Sequence, residues 1–160
     1  MDSEIKLYLT RAEDEFFLAN KDLELSIDPK IKDLLGAPNE KTFYHSVISH
    51  AYYSIFYSAK AYLLSKGIRT KVPDEHKKTY YNFKKFVDNR ILDKDLLEIY
   101  EDAILKAETL LKIFFDEKRK RGIFVYNVKS EANLPYAQES IKKAKKFVSS
   151  IKAILEGQEN

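Results

Sequence analysis

Apolar residues recur along most of this chain at steps of three and four, the spacing of one face of an α-helix. The first run is Ile5, Leu9, Ala12, Phe16, Ala19 and Leu23, with Glu4, Lys6, Arg11, Glu13 and Lys21 lying off it. Asp2 or Ser3 can cap its start, and the run stops before Asp28-Pro29. Gly36-Ala37-Pro38-Asn39 reads as a short connector. A second helix is predicted from just after Asn39, a good N-cap residue, to Gly67, a good C-terminal stop. Its Phe43, Val47, Ala51, Tyr52, Ile55, Phe56, Ala59, Tyr62 and Leu63 cover nearly every face, which marks it as the central helix.

Arg69 to Pro73 reads as a loop, and Asp74 caps a shorter helix carrying Tyr80, Phe83, Phe86 and Val87. Asp93 opens a fourth helix with Leu96, Leu97, Tyr100, Ile104, Ala107, Leu111 and Phe114 on its stripe. Periodicity breaks over 118–132. Asn133 and Pro135 then open the last helix, where Ala137, Ile141, Ala144, Val148, Ile151 and Leu155 recur until Gly157. The expected fold is all-α: an antiparallel up-down bundle of four long helices plus one shorter helix. With no repeat or linker in view, one domain is expected over 1–160, its core about 4–156.

Composition narrows the function classes. Four Gly and four Pro leave little turn material for an all-β fold. The net charge of +3 permits nucleic-acid binding without arguing for it, so local clustering must decide. Zero Cys removes disulfides, thiolate metal sites and Cys nucleophiles together. The opening Met1-Asp2-Ser3-Glu4 has no signal-peptide character and no long apolar run follows, so a cytoplasmic protein without membrane association is expected.

Specific chemistries can then be tested. A di-metal bundle site needs Glu three residues before His on two helices, and none of His45, His50 and His76 has one. No metal or cofactor is expected. Gly-x-Ser-x-Gly and a Gly-rich phosphate loop are both missing. His45 and His50, five apart on the central helix, point to different faces, one at the surface and one partly buried. Tyr52, Tyr53, Phe56, Tyr57 and Tyr62 read mainly as core packing, with a base-stacking platform as the alternative. Tyr53 and Tyr57 lie off the main stripe and, with His50 and His76, suit a groove or a subunit interface. Lys142-Lys143-Ala144-Lys145-Lys146 reads as a solvated helix face.

The segment Arg119-Lys120-Arg121-Gly122-Ile123-Phe124-Val125-Tyr126 differs from that face. Its cations fall at the end of the fourth helix, where they complement the helix dipole or bind phosphate. Two arginines, in a chain with only five, offer forked contacts that lysine cannot make. Tyr126 follows Arg119 by seven residues, which in a helical segment sets a phenol beside a cation.

Three blocks resemble the HEPN family (higher eukaryotes and prokaryotes nucleotide-binding domain). They are Ala51-Tyr52-Tyr53-Ser54-Ile55-Phe56-Tyr57-Ser58-Ala59-Lys60-Ala61-Tyr62-Leu63-Leu64-Ser65-Lys66-Gly67-Ile68, then His76 with Tyr80 and Phe83, then Arg119 to Tyr126 followed by Ala144 and Phe147-Val148. The resemblance implies a homodimer whose subunits bring together Arg-x(4–6)-His motifs, often continued as His-x-Tyr, for metal-independent RNA cleavage. Arg119 takes the Arg position and Tyr126 the Tyr position, which puts Phe124 where the proton-transferring His belongs. Counting from Arg121 instead puts Tyr126 there. The resemblance further implies a minimal nucleotidyltransferase partner in a toxin–antitoxin-like module, with Tyr126 as the matching modification site.

Three readings follow. The first is nucleotide or RNA-phosphate binding through Arg119, Lys120 and Arg121 beside such a partner. The second is an active ribonuclease using Arg119 with Tyr126 or with a histidine from elsewhere, His50 or His76. The third is a non-catalytic interaction bundle.

Overall fold

The computed structural model describes residues 1–111 and 133–158, and these are helical with short connections. Helix α1, Ser3–Ile27, starts where the Asp2 carboxylate accepts the Glu4 N–H at 2.8 Å. Its buried face is Ile5, Leu9, Ala12 and Ala19, with Phe16 and Leu23 half-buried beside them.

The connector after α1 contains a helix of its own, α2, Pro29–Leu35, where the sequence reading placed only punctuation. Asp28 caps it through the Lys30 N–H at 2.9 Å, Pro29 occupies its first turn, and Gly36 closes it at φ 71°. Start and stop signals were both present, but seven residues are too few to display a period.

Helix α3, Tyr44–Ser65, begins later than the position just after Asn39. Asn39 makes no cap there; its carbonyl accepts Lys32 Nζ at 2.6 Å. Phe43 stands at the N-cap without a side-chain bond of its own, and its N–H is taken by Ser26 Oγ of α1 at 2.8 Å. The far end matches expectation. Gly67, at φ 75°, lets its own N–H reach the Leu64 carbonyl and the Ile68 N–H reach that of Leu63, satisfying two orphan acceptors.

Helix α4, Glu75–Asp88, follows Asp74, whose backbone is left-handed at φ 59°. An N-cap residue normally has β-region backbone, and in this conformation the Asp74 carboxylate makes no cap bond. Helix α5, Lys94–Leu111, opens with Asp93 accepting the Asp95 N–H at 3.1 Å. Helix α6, Leu134–Gly157, opens with Asn133 accepting the Tyr136 N–H at 3.2 Å, and it runs through Gly157.

α3 packs against α1, α4, α5 and α6, as its all-round apolar surface requires. The paired contacts Glu15–His50 and Asp22–Ser46 run in opposite residue order, so α1 and α3 are antiparallel. The pairs Asp95–Lys146 and Asp102–Lys143 show the same for α5 and α6. Phe83, Tyr100 and Phe147 meet with centroids 5.4–5.8 Å apart, and Tyr62 adds an edge contact to Phe83 at 6.0 Å. Tyr52, Phe56 and Tyr62 are fully buried, so the aromatic run of α3 is chiefly core. Among the described residues, no helix is long and apolar enough to cross a membrane.

Candidate functional site

Arg119, Lys120, Arg121, Phe124 and Tyr126 lie outside the described residues. Of the other predicted site residues, Tyr53, Tyr57 and His76 meet on one edge of α3, and His50 lies one turn from Tyr53 on the same edge. His45 is exposed on another face.

The edge is a half-exposed strip between α1 and α3, closed at one side by the start of α4. α3 contributes Ser46, His50, Tyr53, Tyr57 and Lys60, spaced three and four apart; α1 answers with Asp22, Glu15, Arg11 and Tyr8. Such spacing puts each set on one line along its helix. Tyr57 lies nearly parallel to Tyr53 (6.1 Å, 27°) and to Tyr8 (6.3 Å, 16°). The Arg11 guanidinium sits 4.5 Å over the Tyr57 ring.

Two histidines anchor the strip, one against a phenol and one against carboxylates. His76 stacks on Phe56 at 4.1 Å and meets the edge of Tyr53 at 5.8 Å. Its Nδ1 is 2.8 Å from the Tyr52 hydroxyl. Burial lowers the His76 pKa, and burial pushes the Tyr52 phenol well above its usual range. Both shifts favour the neutral forms, so a phenol and an uncharged imidazole share one hydrogen bond at the edge of the core.

His50 faces carboxylates instead. Nδ1 is 2.5 Å from Glu15 Oε2, and a carboxylate can only accept, so Nδ1 carries a proton. Nε2 is 3.6 Å from Asp22 Oδ2, which already accepts the Ser46 hydroxyl at 2.5 Å. His50 is thus a carboxylate-oriented imidazole at a partly exposed edge.

Lys60 is buried beneath the strip, paired with Glu75 of α4 and lying 4.7 Å over the Tyr8 ring. Sequence reasoning missed Tyr8, Arg11, Glu15, Asp22 and the Lys60–Glu75 pair. A signal existed on α1, where Glu4, Tyr8, Arg11, Glu15 and Asp22 form a second line beside the apolar one.

The family model of the HEPN domain matches residues 37–158, well over half of the chain. The chain belongs to the HEPN domain family. In this HEPN chain the matched stretch holds α3 to α6, while α1, which supplies one wall of the strip, precedes it. A protein of Methanocaldococcus jannaschii named "Putative toxin MJ0142" is 34% identical over 92 residues. The alignment spans 56% of the HEPN chain and 60% of that protein.

Proposed function

We propose that this HEPN chain is the toxin-like component of a two-part module. It binds nucleotide or RNA phosphate through Arg119, Lys120 and Arg121 as a cytoplasmic homodimer, beside a minimal nucleotidyltransferase for which Tyr126 is the modification site. The observation that carries the reading is the family match together with a relative named as a toxin. The residues at 119–126 support it: arginine and tyrosine keep their places, while Phe124 has no proton to exchange. Tyr53 and Tyr57 suit a groove between subunits, because tyrosine supplies large contact area at little entropic cost. In the test, a labelled RNA oligomer is titrated with wild type and Arg119→Ala. Weaker binding by the variant, with a shallower salt dependence, is expected. Equal binding would sink the reading.

A second reading, metal-independent ribonuclease, is favoured by the Glu15–His50 pair. With Nδ1 held protonated by Glu15, Nε2 is the nitrogen that would take the 2′-hydroxyl proton. The 2′-oxygen would then attack phosphorus, and the departing 5′-oxygen would take a proton from water. RNA cleavage lost in both His50→Ala and Arg119→Ala, and retained in His76→Asn, is the expected pattern for this chemistry. Wild-type protein that leaves RNA intact would exclude it.

A further inference from the structure

We infer that the row Tyr8, Tyr57 and Tyr53, with Arg11 beside it, is a stacking track for the bases of single-stranded RNA. This rests on the RNA-binding reading above and gives it a second, separate contact surface on α1 and α3.

Three features carry the inference. The three half-exposed rings form a line, nearly parallel at successive centroid separations of 6.3 and 6.1 Å. A base offers a π-face whatever its identity, so such a line binds a flexible strand without reading its sequence. Among the described residues, none of the three hydroxyls makes an internal hydrogen bond, so the phenols are not consumed by the fold.

The charge pattern agrees. Each carboxylate along the strip is engaged: Glu4 by Arg69, Glu15 by His50, Asp22 by Ser46 and Glu75 by Lys60. Arg11 is exposed and, among the described residues, has no carboxylate partner. Its guanidinium lies 4.5 Å over the Tyr57 ring, and its N–H fork is available to a phosphate next to a stacked base. A protein partner would use the same aromatics, but an exposed guanidinium with no carboxylate partner among the described residues suits a phosphate.

The experiment measures binding of a fluorescein-labelled oligouridine by anisotropy, with light scattering and thermal melts on every variant. Tyr57→Leu keeps an apolar side chain and should bind roughly 5- to 100-fold more weakly, the worth of one stacked base. Tyr57→Phe should bind like wild type, since it retains the ring. Arg11→Gln should lower the slope of log affinity against log salt by about 0.7, one single-strand phosphate contact. Wild-type affinity in Tyr57→Leu, while Arg119→Ala binds poorly, would overturn the track and leave the phosphate reading standing. No binding by wild type would overturn both. Dissociation of a dimer by Tyr57→Leu, with Arg11→Gln binding normally, would make the strip a subunit interface instead. Free uridine monophosphate competing as well as the oligomer would make it a mononucleotide site, which also overturns the track.

Discussion

Two clusters of aromatic rings sit on the same bundle and behave as opposites. Phe83, Tyr100 and Phe147 are fully buried, ring against ring, between α4, α5 and α6. Tyr8, Tyr53 and Tyr57 are half-exposed and share their edge with Arg11, Glu15 and His50. Residue type does not separate them, since tyrosine occurs in both. What separates them is whether the opposing helix offers carbon or charge. An apolar opposite face makes the ring a volume to be filled; a polar one leaves it as a surface.

The largest break in this comparison is Phe147→Ala. It should cost about 3–5 kcal/mol through lost burial and a residual cavity, read as a lower urea midpoint with unchanged slope. Tyr57→Ala, on the strip, should cost clearly less in the same measurement. Comparable costs at the two positions would mean that the strip rings are core after all.

A finer test sets two buried phenols against each other. Tyr52→Phe removes the bond to His76 Nδ1 and should cost about 1–2 kcal/mol. Among the described residues the Tyr100 hydroxyl is buried without a hydrogen-bond partner. Tyr100→Phe should therefore be neutral or stabilise by up to about 1 kcal/mol. A reversed order in chemical denaturation would refute the assignment of polar partners.

The smallest effect is a dependence on pH. Burial lowers the His76 pKa in the fold, so the unfolded chain, near the ordinary value of about 6.5, binds the proton more readily. The His76 contribution is complete above that value and is lost as pH falls below it. Urea midpoints of wild type should thus fall more steeply between pH 7.5 and 5.5 than those of His76→Asn. Parallel slopes would show that His76 titrates alike in both states.

The legibility of this molecule in its sequence follows the reach of each interaction. Asp2, Asp93, Asn133 and Gly67 act on residues two to four positions away, and each is readable as a helix boundary. The start of α3 is not readable, because the group that receives the Phe43 N–H is Ser26, on another helix. Asp74 misleads for a different reason: the right residue type stands at the right place with the wrong backbone. On the strip, Tyr53 and Tyr57 stand out because large rings lie off an apolar stripe. Arg11 and Glu15 do not, since a polar second line on α1 reads as any solvent face. Only the crossing partner, α3, gives those residues a role.

The position of α1 has a consequence for how such a surface can change. Ile5, Leu9, Ala12 and Ala19 hold α1 to the bundle, whereas Tyr8, Arg11 and Glu15 project from a neighbouring line. Substitutions on that line leave the buried line as it was and change only the outer α1–α3 contacts, Tyr8 and Arg11 with Tyr57 and Glu15 with His50. One helix thus carries two separable lines, and the outer one can vary a side chain at a time without rebuilding the scaffold.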